Sequence, residues 1–329
     1  MSLFSAIIAG TGSYLPEKRL TNEDLAQMVD TNDEWITQRT GIKERRIAAE
    51  NESTATLAVQ AGRRAIESAG LKPDDIDLVI VATITPEMMF PSTACTVAYQ
   101  LGCVGKAAFD LSAACTGFVY ALHTASAFVR SGQFQNVLII GAETLSRVTD
   151  YTDRASCIIF GDGAGAVVVS RSKEPNTGLL YGQIHSDGGP LSEAMLLKPG
   201  SRHPITQELL ACRDQYMKIK GREVYKFAVS KFEELIRDAM TVCELTPQTL
   251  SLIIPHQVNQ RIIDSAMEKL ALPSEKAYVN IDRYGNTSAA SIPIALDEAF
   301  RAGRIRKGDH VIFVAFGGGL TWGNAVVRM

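Results

Sequence analysis

Short apolar runs alternate with amphipathic stretches along the whole chain. The apolar runs include residues 6–9, 78–82, 137–140, 164–169, 252–254, 311–316 and 325–327. The central runs are continuously apolar, which is typical of strands that are covered on both faces. Helical patterns lie between the runs, at residues 53–69, 116–131, 223–243 and 257–270. This alternation predicts an α/β fold.

An internal repeat relates two parts of the chain at an offset of 174 residues. The segment LKPDDIDLVI at residues 71–80 resembles LTPQTLSLII at residues 245–254. The same offset relates residues 121–122 to 295–296 and residues 136–137 to 310–311. A constant offset across three separate elements indicates a duplicated α/β unit.

The duplication predicts two halves, residues 1–172 and 173–329, related by a pseudo-twofold axis. Near the end of each half, FGDG at residues 160–163 resembles FGGG at residues 316–319, at a smaller offset of 156. The first half therefore carries an extra segment around residues 146–157. The 174-residue offset places Cys115 beside Ala289, three residues after Asn286. The axis would bring these two strand-to-helix junctions face to face, so we expect a site between the halves.

The composition is that of an ordinary globular protein. Of the 329 residues, 46% are hydrophobic and 21% are charged, the net charge is −3 and the pI is about 6.0. These values favour neither a nucleic-acid partner nor a membrane surface. No apolar run reaches the length of a membrane helix, and the first ten residues lack the pattern of a secretory signal. We therefore expect a cytoplasmic protein.

The six cysteines, at positions 95, 103, 115, 157, 212 and 243, are spread singly along the chain. No pair has C-x-x-C spacing, so neither a metal site nor a redox pair is predicted. Cys115 follows a run of small residues and opens a helical pattern. A helix N terminus favours the thiolate form of a cysteine, and this makes Cys115 a candidate nucleophile. An inert buried cysteine is an equally open interpretation of the local sequence.

Three further segments could carry chemistry. His256 lies just after a buried strand and Pro255, at a position where α/β folds place functional groups. Asn286 follows Gly285 in a segment that is equally typical of a turn followed by a helix cap. The glycines at residues 317–319 follow a strand and would let backbone N–H groups approach a ligand, although a plain β-turn has the same pattern.

Two glycine-rich segments resemble phosphate-binding loops but do not meet the pattern. Gly10 and Gly12 follow a strand, yet the third glycine is missing and Pro16 interrupts the expected helix. The glycines of residues 161–165 lead into a strand rather than a helix. We therefore predict no dinucleotide site.

Taken together, the motifs resemble the β-ketoacyl-[acyl-carrier-protein] synthase III family, the initiating condensing enzymes of type II fatty acid synthesis. They are GTGSYLP (residues 10–16), DEWITQRTGI (33–42), FPSTA (90–94), ACTGF (114–118), FGDGAG (160–165), HQVN (256–259), YGNTSAA (284–290) and FGGGLTWG (316–323). The resemblance runs nearly end to end. It implies a thiolase-like fold, layered α-β-α-β-α, of two related halves.

The resemblance also implies a role for each site residue. Cys115 would accept the acyl group from acyl-coenzyme A, and the N–H groups of Cys115 and Gly318 would form the oxyanion hole. His256 and Asn286 would bind the malonyl thioester carbonyl and stabilise the enolate left by decarboxylation. Contacts to coenzyme A are implied for Thr31, Trp35, Arg39, Arg154 and Asn259, with the adenine between Trp35 and Arg154.

The implied partners are an acyl-coenzyme A primer, expected to be acetyl-coenzyme A, malonyl-acyl-carrier protein and a second copy of the chain. Phe90 would reach into the acyl pocket of the partner subunit, which implies a homodimer. Lys226, Arg261 and Lys269 are the implied docking charges for an acidic carrier protein, although the nearby Glu268 weakens that basic face. No resident metal or cofactor is implied, because coenzyme A enters as a substrate thioester.

Related functions of the same fold require different residues at these positions in some cases and the same residues in others. A thiolase needs a second cysteine near its C terminus, and none follows Cys243. An elongating ketosynthase uses two histidines, whereas Asn286 stands in place of one. A starter synthase of a polyketide or quinolone-type pathway would have the same catalytic residues and stays open. Intact Cys115, His256 and Asn286 argue against a non-catalytic relative that only binds acyl-thioesters.

Overall fold

The computed structural model describes residues 4–189 and 195–329, with the backbone alone at residues 222–224. The helices in this part of the chain are α1 (Asn22–Ala26), α2 (Asp33–Thr40), α3 (Thr54–Ser68), α4 (Thr93–Leu101), α5 (Gly117–Ser131), α6 (Gln207–Ala211), α7 (Gly221–Val242), α8 (Gln260–Lys269), α9 (Ile281–Tyr284) and α10 (Ser291–Arg301). The strands are β1 (Ser5–Tyr14), β2 (Arg19–Thr21), β3 (Glu44–Arg46), β4 (Leu78–Ala82), β5 (Ala107–Leu111), β6 (Asn136–Glu143), β7 (Gly163–Ser172), β8 (Gly178–Ser186), β9 (Met195–Leu196), β10 (Lys218–Ile219), β11 (Leu250–Pro255), β12 (His310–Gly317) and β13 (Thr321–Arg328).

Two sheets among the described strands have the same strand order. The first runs β1-β7-β6-β4-β5 and the second runs β8-β13-β12-β11. The strand directions also match. β4 is parallel to β6 in the first sheet, as β11 is to β12 in the second, and the other neighbouring pairs that the two sheets share are antiparallel. In the second sheet, an isolated parallel bridge between Ile253 and Ala277 takes the place that β5 has in the first sheet. This order supports the predicted duplication, and the boundary at residues 172–173 stays a prediction.

Helices α5 and α10 form the layer between the two sheets. One core cluster joins Phe118 and Leu122 of α5, Leu296 of α10, and Ile80 and Phe313 of the two sheets. A second cluster packs α3 and α4 on the outer face of the first sheet, and a third packs α7 and α8 on the outer face of the second. The order of layers is therefore α-β-α-β-α, and the strands are covered on both faces as their continuous apolar runs predict.

Helix boundaries follow the predicted signals at α3 and α5, whereas α7 begins two residues before its predicted start and α8 begins three residues after it. Ser53 caps α3 through a hydrogen bond to the Thr56 N–H, and Gly132 ends α5 in a left-handed conformation. Helix α8 begins at Gln260 rather than at Gln257. The prediction was wrong there because the buried Gln257 side chain donates to the carbonyls of Pro255 and Tyr278.

Gly10 and Gly12 lie within β1, where α3 crosses the strand at close range. A Cβ at Gly10 would collide with the backbone of Ala69, and one at Gly12 with the backbone of Ala61. These glycines therefore serve helix–strand packing. Within the described residues, no group of three or more His, Cys, Asp or Glu side chains is placed to hold a metal ion. No described helix is long and apolar enough to cross a membrane.

Candidate active site

Cys115, His256 and Asn286 line one cavity of about 740 Å3. The rest of its lining is mainly apolar and comes from both halves of the chain, including Leu145, Ile159, Phe160, Met195, Met217, Ile219 and Phe316. A cavity of this size with a few convergent polar groups is typical of a small-molecule site. The structure thus brings together the three side chains that the sequence singled out.

Cys115 lies in a 3₁₀ turn, Ala114–Thr116, between β5 and α5. The turn is fixed to β13, because the Thr321 hydroxyl donates to the Ala113 carbonyl at 2.9 Å and the Thr116 hydroxyl donates to the Thr321 carbonyl at 3.1 Å. These bonds hold the half-buried thiol at the cavity wall.

Its surroundings in the cavity wall oppose ionisation of the Cys115 side chain. Its pKa is raised to about 12, first by burial and also by the charge of Glu143, against a hydrogen bond with Ser288 that lowers it. Burial raises this pKa because the charged form loses its hydration. The N terminus of α5 acts in the opposite direction, and its effect on the thiolate stays a prediction.

His256 directly follows β11 and is completely buried. Its Nδ1 lies 2.7 Å from the Ser291 Oγ, and Nε2 has no hydrogen-bond partner in the described part of the chain. Burial lowers the pKa of His256 to about 3, so the ring is neutral. When the Ser291 hydroxyl donates to Nδ1, the ring proton lies on Nε2, and this is the tautomer that can donate a hydrogen bond through Nε2.

Asn286 is held by its backbone and by one side-chain bond. Gly285 before it has φ +65° and ψ −157°, a conformation that favours glycine. The Asn286 N–H donates to the Ile159 carbonyl at 2.9 Å. Its Oδ1 accepts from the Ser288 N–H at 2.8 Å. Because Oδ1 is already an acceptor, the amide presents its Nδ2 donors to other groups.

The glycine segment at the end of β12 lies against the 3₁₀ turn that carries Cys115. A Cβ at Gly317 would lie 2.7 Å from the Cys115 nitrogen, so this approach requires glycine. Gly318 and Gly319 line the same cavity. Close packing thus explains the glycine at residue 317, and a φ of 141° explains the one at residue 319.

Sequence reasoning missed Ser288, which lines the same cavity as Cys115, and Glu143, which is bonded to Ser288. Glu143 ends β6 and is completely buried, and burial raises its pKa to about 7. Ser288 donates to Glu143 at 3.0 Å. The available signal was a carboxyl group at the end of the otherwise apolar segment NVLIIGAE, because a fully buried carboxyl group is rare.

Family models match much of the chain around this site. The model described as 3-oxoacyl-[acyl-carrier-protein (ACP)] synthase III matches residues 109–188, and that of its C-terminal part matches residues 240–329. The β-ketoacyl-[acyl-carrier-protein] synthase III of Caldanaerobacter subterraneus is 51% identical over 324 residues, covering 98% of each chain. The chain belongs to this family.

Solved structures of synthase III proteins share the fold. The enzyme from Aquifex aeolicus matches with a TM-score of 0.91 at 50% identity, covering 98% of this chain and 100% of that one. A priming β-ketosynthase of a polyketide pathway matches with a TM-score of 0.91 at 34% identity, covering 98% and 96%. The thiolase-like fold is confirmed, and the chain is an acyltransferase of the β-ketoacyl-ACP synthase III type.

The predicted coenzyme A contacts of the synthase form one aromatic and cationic cluster. The guanidinium carbons of Arg39 and Arg154 lie 4.5 and 4.8 Å from the centre of the Trp35 ring. These are distances of direct stacking, so an adenine between Trp35 and Arg154 would have to part them. The buried Thr31 hydroxyl nearby has no partner in the described part of the chain.

Asn259 connects this cluster to the cavity. It caps α8, its Oδ1 accepts from the Arg261 N–H, and its Nδ2 donates to the Arg39 carbonyl at 2.9 Å. It also lines the cavity. Its visible bonds are therefore structural, and its contact with coenzyme A stays a prediction.

Phe90 does not line the cavity of its own chain, whereas Met88 and Met89 do. Its side chain is 86% exposed. Among the predicted docking charges of the synthase, Lys269 is paired with Glu233 at 3.4 Å. Lys226 and Arg261 are exposed and make no ion pair among the described side chains. Lys269 is thus the weakest candidate of the three.

Proposed function

We propose that this chain starts fatty acid synthesis by joining an acyl group from acyl-coenzyme A, such as acetyl-coenzyme A, to malonyl-acyl-carrier protein. The products are 3-oxoacyl-carrier protein, carbon dioxide and coenzyme A. The observation that carries the proposal is the meeting of Cys115, His256 and Asn286 in one mainly apolar cavity. The 51% identity to a β-ketoacyl-[acyl-carrier-protein] synthase III supports it.

The first half-reaction is acyl loading. The Cys115 sulfur attacks the thioester carbonyl, and the N–H groups of Cys115 and Gly318 donate hydrogen bonds to the developing oxyanion. Collapse of the tetrahedral intermediate expels coenzyme A and leaves acyl-Cys115. The apolar cavity holds the acyl chain and keeps water from the new thioester.

The second half-reaction is condensation. The malonyl thioester oxygen accepts hydrogen bonds from His256 Nε2–H and from the Asn286 amide, so the negative charge left by carbon dioxide is met by neutral donors. The resulting carbanion attacks acyl-Cys115 and expels its sulfur. These steps use thiol, imidazole and amide groups of the chain and need no resident metal or cofactor.

The proposed enzyme acts as a cytoplasmic homodimer. Its six free cysteines fit a reducing compartment. The exposed Phe90, beside Met89, offers an apolar surface for a second copy. Coenzyme A is proposed to bind at Trp35 and its neighbours, and the carrier protein at Arg261, Lys226 and Lys269.

A polyketide-priming role is the second candidate, because the structural match to such a priming synthase is as close in TM-score. Intact-protein mass spectrometry after exposure to a panel of acyl-coenzyme A thioesters tests both. Loading of acetyl at Cys115, followed by 3-oxoacyl-carrier protein when malonyl-carrier protein is added, is the expected result. Absence of any Cys115 adduct from the whole panel would contradict the proposed function.

A further inference from the structure

One wall of the active-site cavity is formed by residues 195–219, here called the wall segment. Among the described strands, its β9 and β10 pair with each other and join neither of the two main sheets. The side chains that it contributes to the cavity lining are mainly apolar, namely Met195, Leu196, Leu197, Pro199, Met217 and Ile219. The position of this wall therefore depends on what attaches the segment to the rest of the protein.

The attachment lies at the segment that follows β6. Within the described residues, the hydrogen bonds from the wall segment to the rest of the protein lead to positions 148 and 150. The Met217 N–H donates to the Val148 carbonyl at 2.8 Å. The Arg213 guanidinium donates to the Asp150 carboxylate. Met217 also packs in one apolar cluster with Phe160 of the opposite wall.

Asp150 is a charged residue with only 4% of its surface exposed. Arg213 meets it at two points, with Nη2 2.7 Å from Oδ1 and Nε 3.1 Å from Oδ2. Lys218, also in the wall segment, lies 3.8 Å from Oδ2. The Thr152 N–H and hydroxyl donate to Oδ1 at 3.0 and 2.6 Å and fix the carboxylate on its own side. The hydrogen bonds from Arg213 hold the pKa of Asp150 well below its usual range, so the carboxylate is charged.

This ion pair differs from an ordinary surface pair because one partner is buried. Solvent weakens exposed pairs, whereas removal of one partner from a buried charge leaves that charge neither hydrated nor neutralised. The cations that pair with Asp150 among the described side chains are Arg213 and Lys218, and both belong to the wall segment. Displacement of the wall segment would leave Asp150 without a cation, so the closed arrangement is favoured.

We propose that Asp150 and Arg213 are a positioning pair that holds the wall segment closed over acyl-Cys115 and keeps water from it. The inference rests on the proposed function, because it concerns that acyl-enzyme. When the wall is displaced, a water oxygen bonds to the acyl carbon and the carbon–sulfur bond breaks. The acyl group leaves as a carboxylic acid, and the second proton of the water returns to the Cys115 sulfur. The primer is then lost before malonyl-carrier protein arrives.

Arg213→Gln tests the pair, because it removes the charge at a partly exposed side chain outside the cavity lining. Variant and wild type are loaded from acetyl-coenzyme A and freed of excess thioester, and the loss of acyl-Cys115 is followed by intact-protein mass spectrometry. Hydrolysis should accelerate roughly 10-fold, the usual contribution of a hydrogen bond to a charged group in an equilibrium between two arrangements. Condensation at saturating malonyl-carrier protein should stay near the wild-type rate.

Three further variants test whether the two residues act together. Arg213→Lys keeps the charge but meets the carboxylate at one point, so its hydrolysis rate should lie between those of wild type and Arg213→Gln. Asp150→Asn also removes the partner of Lys218 and should hydrolyse at least as fast as Arg213→Gln. The double variant should hydrolyse no faster than Asp150→Asn, because both changes break the same pair.

Two controls separate positioning from general stability. Lys198→Gln breaks an ion pair with Asp214 at 2.8 Å that lies wholly inside the wall segment, and it should hydrolyse at the wild-type rate. Hydrogen exchange of the unloaded proteins gives a readout that does not depend on the acyl group. In Arg213→Gln, exchange should rise at residues 195–219 and stay unchanged in α5, which lies in the central core.

The outcomes distinguish the positioning pair from the proposed function. Equal hydrolysis in wild type and Arg213→Gln would overturn the pair and leave the function standing. Additive effects in the double variant, or faster exchange along the whole chain, would assign the two residues to general stability and also overturn the pair. A wild-type protein that takes no acyl group would overturn the function and the protective role with it.

Discussion

Ala114 and Ser288 are counterparts in the two halves of the chain. Each is the first residue of a 3₁₀ turn that leads into a central helix, and each has a left-handed backbone, with φ values of 47° and 50°. Non-glycine residues are uncommon in this region. The shared conformation turns both chains sharply at the same cavity, which brings Cys115 beside Ser288.

Substitutions at the three cavity residues should divide the reaction into its halves. Cys115→Ala should abolish acyl transfer. His256→Ala and Asn286→Ala should still form acyl-Cys115 but lose roughly 100- to 1000-fold in condensation, because each removes a donor to the enolate oxygen. Labelled acyl on the protein and carbon dioxide release should be followed in parallel. Complete loss of loading in a folded His256→Ala or Asn286→Ala protein would mean that the residue is an obligatory base for Cys115.

Ser291→Ala should impair condensation through His256. Without the Ser291 hydroxyl, Nδ1 competes for the ring proton and Nε2–H is no longer fixed. We expect condensation to fall roughly 10- to 100-fold, as for other partners that orient a histidine, with loading preserved.

The pH dependence provides a second measurement of the same site. Because the pKa of His256 is lowered to about 3, the ring stays neutral between roughly pH 5 and pH 9, where enzyme assays are ordinarily run. Condensation from preloaded wild-type enzyme should therefore show no limb near the ordinary histidine pKa of about 6.5. Because burial raises the pKa of Glu143 to about 7, a rise or fall near 6.5 would show a change of charge on the ring only if it persists in a Glu143→Gln protein.

Trp35→Ala should weaken use of acyl-coenzyme A. The ring offers a stacking face for adenine, and loss of such a face costs roughly tenfold or more in binding. Loading from a short model thioester without the nucleotide should stay nearly intact. Kinetics with both donors measure the difference, and equal loss with both would assign Trp35 a structural role.

Arg261→Glu should raise the apparent KM for malonyl-carrier protein, because the carrier is expected to be acidic and Arg261 has no described ion-pair partner. Salt should weaken wild-type binding in the same assay. Lys269→Glu is the matched comparison and should have a smaller effect, since Lys269 is already paired with Glu233. Indifference of the binding curve to Arg261→Glu and to salt would place the docking surface elsewhere.

The sequence predicted the buried strands and singled out Cys115 and His256 because their signals are local, whereas the order of layers followed from the family resemblance. Buried strands are continuously apolar, and Cys115 and His256 stand where strands end. Glu143 could not be placed in the same way, since its contact with Ser288 joins positions 145 residues apart.

The Trp35 cluster bears on product release. In the unliganded protein, the guanidinium groups of Arg39 and Arg154 already cover the faces of the Trp35 ring. Adenine that binds there would replace one stacking partner of the ring by another. The free energy gained on binding would then be smaller than for an uncovered ring. Coenzyme A would leave readily once its acyl group is transferred, and the carrier protein would find the entrance cleared.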